Sequence, residues 1–227
     1  MTLEDKDEVI SLAQDVESKC AALLDDHVHG FSLGRLAVVL SAACKQQEAL
    51  AHLNDARIML KAAPYLADTY QVIARVHFRE GRLPEALDAI QEACKLVGSR
   101  PDPDISLESG LIHFSANRDI EAWNYTEIAL MRASHVGNRL CIARALELMG
   151  YGYLRRGDYE NAYGAYEAAG EKYCGTVRAD VEMWCKDNMA RIERKQRNPD
   201  EEIGFSRSSL DVDYSFFYPP VVLQLQS

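Results

Sequence analysis

Small side chains recur along this 227-residue sequence with a period of about 36 residues. The period starts near residues 30, 67, 103 and 143, and its eighth, twentieth and twenty-seventh positions hold Gly or Ala in every case. These twelve residues are Ala37, Ala49, Ala56, Ala74, Ala86, Ala93, Gly110, Ala122, Ala129, Gly150, Ala162 and Ala169. Helices approach closely where a small residue replaces a bulky one, so the pattern predicts four tightly packed helix pairs. An ordinary Ala-rich helical bundle needs no such period, and the pattern therefore favours a repeat architecture.

The segment that begins near residue 143 resembles a tetratricopeptide repeat. The residues that match the family's pattern in order are Leu146, Met149, Gly150, Tyr153, Gly157, Ala162, Tyr166 and Ala169. The segments near 30 and 67 also match, whereas the segment near 103 is the weakest, with Ser106, Ser109 and Thr126 where bulk is usual. The spacings of 37, 36 and 40 residues are similar to those of the longer-helix variants in kinesin light chains. The resemblance implies an all-α fold, a right-handed α-solenoid of antiparallel helix pairs.

Amphipathic segments flank the four repeats, and each is expected to cap one end of the array. In residues 3–25 and 177–197 the apolar residues fall on one helical face. We therefore predict a single array over 1–197, with an N-terminal helix in 1–29, repeats in 30–66, 67–102, 103–142 and 143–176, and a capping helix in 177–197. Whether 103–142 is a regular repeat or a hinge stays open. The flanking stripes are Val9, Leu12, Ala13, Val16, Cys20, Leu23 and Leu24, and Val181, Trp184, Cys185, Met189 and Ile192.

The last thirty residues, 198–227, lack helical periodicity and are rich in aromatic and β-branched side chains. Such a composition is unusual for a solvated linker. Either this tail is frayed, or it docks on its own array or on a partner. The tail-docking candidates are Asp211, Asp213, Tyr214, Phe216, Phe217 and Tyr218.

Charge and composition narrow the class of partner. Twenty-five Lys and Arg against thirty-five Asp and Glu give a net charge of −10, which disfavours binding to a phosphate backbone. No apolar run approaches the roughly 18 residues of a membrane span, and the acidic start lacks an apolar signal core. We expect a cytoplasmic protein whose six cysteines are thiols, most of them compact core residues.

Motifs for catalysis, cofactors and metals are missing from the sequence. It contains no phosphate-binding glycine loop and no nucleophile elbow, and the glycines at 150 and 152 fit helix packing instead. His27 and His29 form half a metal site at most, and His77 and His113 fall at a repeat position that is usually a packed aromatic residue. The sequence therefore predicts a protein that is not an enzyme and that needs no cofactor or metal.

The resemblance also implies a binding groove. In tetratricopeptide arrays, positions 2, 5, 9, 12 and 13 of each first helix line a concave surface. By position, the partner-binding candidates are Asp68, Gln71, Arg75, Phe78, Arg79, Phe114, Arg144, Glu147, Tyr151 and Arg155; the first repeat offers Phe31, Gly34, Val38, Ser41 and Ala42. Arginine forks pair with carboxylates and stack on rings, so an acidic, aromatic peptide is the expected ligand. The chain's own tail, or that of a second copy, has this chemistry; alternatively, these side chains form an ordinary solvated face.

Two functions are compatible with these sequence features. The first is a non-enzymatic adaptor or scaffold that binds a peptide or a subunit of an assembly in its concave groove. The alternative is a structural subunit of a larger complex that uses its caps, its convex face and its tail.

Overall fold

The computed structural model describes residues 3–23, 25–98, 102–174 and 179–199. Within these ranges the regular elements are ten α-helices and no strand, which confirms the predicted all-α class. The helices are α1 (Leu3–Ala21), α2 (Asp26–Ala42), α3 (Gln46–Met59), α4 (Ala63–Arg79), α5 (Leu83–Val97), α6 (Pro103–Ser115), α7 (Asp119–Val136), α8 (Arg139–Arg155), α9 (Tyr159–Tyr173) and α10 (Ala179–Arg197).

The described residues cluster into two compact units, one ending at Leu96 and the other beginning at Val97. In the first unit, α2 packs against α1, α3 and α4, and α3 also contacts α4. In the second unit, α6 packs against α7 and α8, α7 against α8, and α9 lies between α8 and α10. Helices that are neighbours in sequence therefore pack together from α1 to α4 and from α6 to α10, and α2 with α4 and α6 with α8 form additional contacts.

One type of turn recurs after α2, α4, α6 and α8. Each turn places one residue in the left-handed region, with φ of 63° at Cys44, 73° at Gly81, 57° at Asn117 and 74° at Gly157. The next residue donates its backbone N–H to the carbonyl five residues earlier, at 2.9–3.0 Å in all four turns. This 6→1 hydrogen bond closes the end of a helix. All four left-handed residues occupy the fifteenth position of the predicted period, so the period in the sequence is also a period in the backbone.

The twelve small residues of the period are all buried, as the sequence predicts. The two glycines among them mark the closest approaches. A Cβ on Gly110 would lie 2.6 Å from Oγ1 of Thr126 and 3.0 Å from Cδ2 of Leu148, and one on Gly150 would lie 3.0 Å from the ring of Tyr166. A side chain at either position would push the neighbouring helix away, and the missing Cβ therefore sets how closely α6 and α8 pack against their neighbours.

The hydroxyl residues that weaken the match near residue 103 lie in the core. Ser106, Ser109 and Thr126 are fully buried, and each hydroxyl donates to the carbonyl four residues earlier in the chain, at 3.0, 2.8 and 2.7 Å. A buried hydroxyl that is hydrogen-bonded in this way carries no unmet polar group. These side chains therefore fill the space of small core residues where the pattern led us to expect bulk.

The two flanking helices differ in how they use their apolar stripes. In α10, Val181, Cys185 and Ile192 are buried against a cluster that includes Tyr166 and Tyr173. In α1, by contrast, the predicted stripe is largely exposed: Leu12 is 69% and Val16 51% accessible, and Val9 and Leu23 are also exposed. Helix α1 instead buries Ile10, with half-buried Ala13 and Glu17 on the same side. Residue Leu24 of the predicted stripe lies outside the described residues.

Candidate binding surface

Helix α4 carries five of the partner-binding candidates, and the structure separates them by burial. Asp68 is exposed, Phe78 and Arg79 are half-buried, and Gln71 and Arg75 are buried. The Arg79 guanidinium donates to Oγ of Ser41 on α2 at 3.1 Å. The spacing of three and four residues keeps these candidates on one side of the helix, but part of that side is covered.

Helix α8 holds the second group of candidates, and their polar atoms contact the chain itself. Arg144 forms an ion pair with Asp104 of α6, with Nη1 and Oδ1 3.0 Å apart. The buried carboxylate of Glu147 accepts a hydrogen bond of 2.8 Å from the Tyr173 hydroxyl. Tyr151 is half-buried, and its ring meets the fully buried ring of Phe114 edge to face, with centroids 5.8 Å apart.

The Arg155 guanidinium binds the turn that follows α6. One nitrogen of its guanidinium donates to the carbonyl of Phe114 at 3.1 Å, and another lies 2.9 Å from Oδ1 of Asn117 and 3.1 Å from Oδ1 of Asp119. A cation at a helix C-terminus is stabilised by the helix dipole as well as by these acceptors. Arg155 thus joins α8 to the end of α6, a structural role that is additional to the predicted binding role.

The first unit has a hollow lined mainly by apolar side chains between α2 and α4. We call it the α2–α4 hollow. Phe31 and Tyr65 meet edge to face across it, with centroids 5.7 Å apart, and Arg35 lies 4.9 Å from the centroid of the Phe31 ring. A Cβ on Gly34 would have no atom within 4 Å, so the space above this residue is open. The lining residues are Gly30, Phe31, Gly34, Arg35, Val38, Leu60, Tyr65, Asp68, Thr69 and Val72.

The hollow contains residues that the sequence predicted and residues that it missed. Phe31, Gly34 and Val38 are predicted groove positions of the first repeat, and Asp68 is one of the second. Leu60 and Tyr65 were missed because they lie beyond the last matched position of the first repeat. Their apolar character was the available signal, and it did not distinguish them from core residues. The predicted tail-docking residues Asp211 to Tyr218 lie outside the described residues.

Three of the histidines contact an aromatic ring, a carboxylate or a backbone carbonyl. The rings of His27 and Tyr65 meet edge to face at 4.7 Å, and Nε2 of His29 lies 2.7 Å from Oε1 of Glu17. Nδ1 of the buried His113 lies 2.7 Å from the carbonyl of Ser109, and burial lowers the pKa of this imidazole. Burial, assisted by Arg82, also lowers the pKa of His77. No group of three His, Cys, Asp or Glu in the described ranges could hold a metal ion.

The six cysteines do not all behave as core residues. Cys141 and Cys185 are buried, Cys20 and Cys94 are half-buried, and Cys44 and Cys174 are exposed. Burial, together with nearby Asp104, raises the pKa of the Cys141 thiol to about 12. The prediction of compact core thiols therefore describes Cys141 and Cys185 but not the two exposed cysteines.

Comparison with known proteins identifies the fold and no family. No family model matches this chain, and no curated protein matches its sequence. Among solved structures, the crystal structure of BtubC (BKLC) from P. vanneervenii has a TM-score of 0.63 at 15% sequence identity, over 91% of this chain and 96% of that chain. At this identity, the likeness shows a shared fold. No helix in the described ranges is both long and apolar enough to cross a lipid bilayer.

Proposed function

We propose that this chain is a non-enzymatic interaction adaptor built from tetratricopeptide-like repeats, and that it acts in the cytoplasm. Four turns of one type at one position of a 36- to 40-residue period, with buried small residues at three others, support the repeat assignment. In such an array the helices stack as antiparallel pairs into a right-handed solenoid with a concave surface. That surface is the binding site in our proposal.

The α2–α4 hollow carries the proposal because it is an exposed apolar site at predicted groove positions. Tyr65 is 39% accessible, the space above Gly34 is open, and Arg35 and Asp68 add a charge of each sign. Rings and aliphatic side chains with a few polar groups form the usual lining of a peptide groove. A segment with apolar anchors is therefore the favoured ligand. The arginines at 79, 144 and 155, predicted to bind an acidic segment, have partners within the chain and would contribute less to affinity than the hollow.

A peptide selection tests this function. A random peptide library would be selected against the full chain and then measured against Gly34→Leu and Gly164→Leu. Both glycines lie inside helices, and a Cβ added at either would have no atom within 4 Å, so both substitutions improve helix propensity without a clash at Cβ. We expect the Gly34 variant to lose binding at least tenfold and the Gly164 variant to keep it. Equal binding by all three proteins would exclude the hollow as the site.

A second function, structural subunit of a larger complex, is favoured by the exposed stripe on α1. Leu12 and Val16 are more than half accessible, and Val9 is exposed beside them. A row of apolar side chains at one helical face is typical of an interface. In that case Leu12→Glu would prevent assembly and Gly34→Leu would leave it intact, which is the reverse of the result expected for the adaptor.

A further inference from the structure

We propose that residues 214–223 of this chain dock in the α2–α4 hollow of the same chain, as a resident ligand of the binding site. This inference rests on the proposed function, because it takes the hollow to be a site for an extended peptide. It differs from the sequence-based prediction in the receiving surface: the hollow of α2 and α4 replaces the arginines of α4 and α8.

The side chains that line the hollow have the chemistry to contact an aromatic ring. Gly34 leaves its floor open, and the perpendicular rings of Phe31 and Tyr65 provide edges and faces for further ring contacts. Val38 and Leu60 lie at the base, 9% and 4% accessible. Aromatic pairs prefer such edge-to-face and offset geometries, which favours an aromatic occupant over an aliphatic one.

The segment from Tyr214 to Leu223 has the matching composition. Its sequence, YSFFYPPVVL, contains four aromatic and three aliphatic residues and no charged residue. Proline favours the polyproline conformation and an extended residue before it, and this segment contains Pro219 and Pro220. Less entropy is then lost on docking, and aromatic-lined grooves commonly bind proline-containing segments of this kind.

Charged residues that precede the segment and that line the hollow favour one orientation of the docked segment. Asp211 and Asp213 precede the aromatic residues in the sequence. Arg35 of α2 and Asp68 of α4 both line the hollow, from different helices, and carry opposite charges. We expect the acidic end of the segment to lie towards Arg35, because the reverse orientation brings its carboxylates towards Asp68.

The length of the connecting chain favours docking within one molecule. Fourteen residues, 200–213, separate the last described residue from the segment, and they reach about 50 Å when extended. A unit of about 100 residues has a radius of gyration near 13 Å, so the tether is long on the scale of a single unit. Because the segment and the hollow belong to one chain, docking is intramolecular, and short linkers give effective concentrations in the millimolar range, well above that of a second copy.

Photo-crosslinking of the full chain tests the proposal. A photoreactive phenylalanine analogue would replace Phe217 in an equal mixture of ¹⁵N-labelled and unlabelled protein, and mass spectrometry would locate the links. We expect links to the α2 or α4 peptides that contain Gly34 or Tyr65, joining chains of one isotope. The yield should fall at least fivefold in Gly34→Leu and stay unchanged in Gly164→Leu. Links to other helices, links between isotopes, or an equal yield in the Gly34 variant would overturn it.

A competition measurement separates this inference from the proposed function. The combined substitution Phe216→Ala, Phe217→Ala and Tyr218→Ala in the full chain empties the hollow if the segment occupies it. A library peptide that binds the hollow should then bind five- to tenfold more tightly than it binds the parent chain. Equal affinity for both proteins would refute the resident segment and leave the adaptor function intact, whereas failure to select any peptide against the alanine variant would count against the adaptor itself.

Discussion

The four recurrent turns give a sharp test of backbone energetics, because one of them places a cysteine where the others have Gly or Asn. Cys44 has φ of 63°, a conformation in which an L side chain costs about 1–2 kcal/mol. Glycine removes this cost but makes the unfolded chain more flexible, which offsets about 0.4–1 kcal/mol. We therefore expect Cys44→Gly to stabilise the protein by about 0.5–1 kcal/mol, a rise in Tm of roughly 1–4 °C for a chain of this size.

Urea unfolding and differential scanning calorimetry of matched variants would measure this effect. Cys44→Ala is the control, because it removes the thiol and keeps the Cβ, and its stability should stay within about 0.5 kcal/mol of the parent. Gly157→Ala makes the opposite change at φ of 74°, where no atom would contact the new Cβ, and it should lose about 1 kcal/mol. If Cys44→Gly proved less stable than Cys44→Ala, the left-handed strain assigned to this turn would be wrong.

Three further predictions concern the core. A thiol reagent should modify the exposed Cys44 and Cys174 rapidly, and the buried Cys141 and Cys185 only on unfolding, as followed by mass spectrometry. Fast labelling of the buried pair would contradict their placement in the core. Gly150→Ala should destabilise the fold by about 1–3 kcal/mol, because the fully buried Tyr166 ring cannot move away from the added Cβ. In the same urea titration, Gly164→Ala should stabilise the protein by up to about 1 kcal/mol. Equal effects of the two substitutions would argue against close packing at Gly150. Burial lowers the pKa of His113 in the folded protein, so the folding stability that its neutral imidazole contributes is complete above about pH 6.5 and is lost as the pH falls towards the folded pKa. His113→Phe should therefore flatten the decline in folding stability at acid pH. An unchanged pH profile would show that His113 does not contribute.

The sequence predicts the all-α class well because helix formation and close helix packing depend on local chemistry. Small residues at fixed spacing report where helices approach, and Gly or Asn at the fifteenth position reports a left-handed backbone. Cys44 could not be foreseen in this conformation, because cysteine has no preference for it. The period revealed the position, and the structure showed that the same turn forms there at a steric cost.

Prediction was poorer where the apolar face of a helix is wider than the part of that face that the fold buries. In α1, the apolar residues cover enough of the helix surface that periodicity alone does not say which part is buried. The structure buries Ile10 and leaves Leu12 and Val16 accessible. Leu12 follows Ile10 by two residues, which is about 160° around the helix axis. In α10 the apolar face is bounded by charged residues on both sides, and the predicted and buried stripes coincide at Val181 and Ile192.

The candidate site shows a different limit of prediction from sequence. A register identifies which residues share a helix face, but it does not show which acceptors lie within reach of an arginine. The Arg155 guanidinium meets the carbonyl of Phe114 near the end of α6, and Arg144 meets Asp104, so both are tied to a neighbouring helix. Replacing Arg155 would disturb that attachment as well as any partner contact, and a loss of binding would not identify a contact residue. Variants at Gly34 avoid this ambiguity because no atom would contact the added Cβ.

The glycine at position 34 lowers helix stability by roughly 1 kcal/mol relative to alanine and gains no close contact in return. At Gly110 and Gly150 the same cost is offset by the tight approach of a neighbouring helix. Gly164 also lacks close contacts, but it is exposed on α9 and does not line the α2–α4 hollow. A comparison of Gly34→Leu with Gly164→Leu therefore separates helix propensity, which both changes improve, from the space that only one of them fills. If binding depends on that space, a ligand that enters the hollow compensates for the intrinsic cost of a glycine within α2.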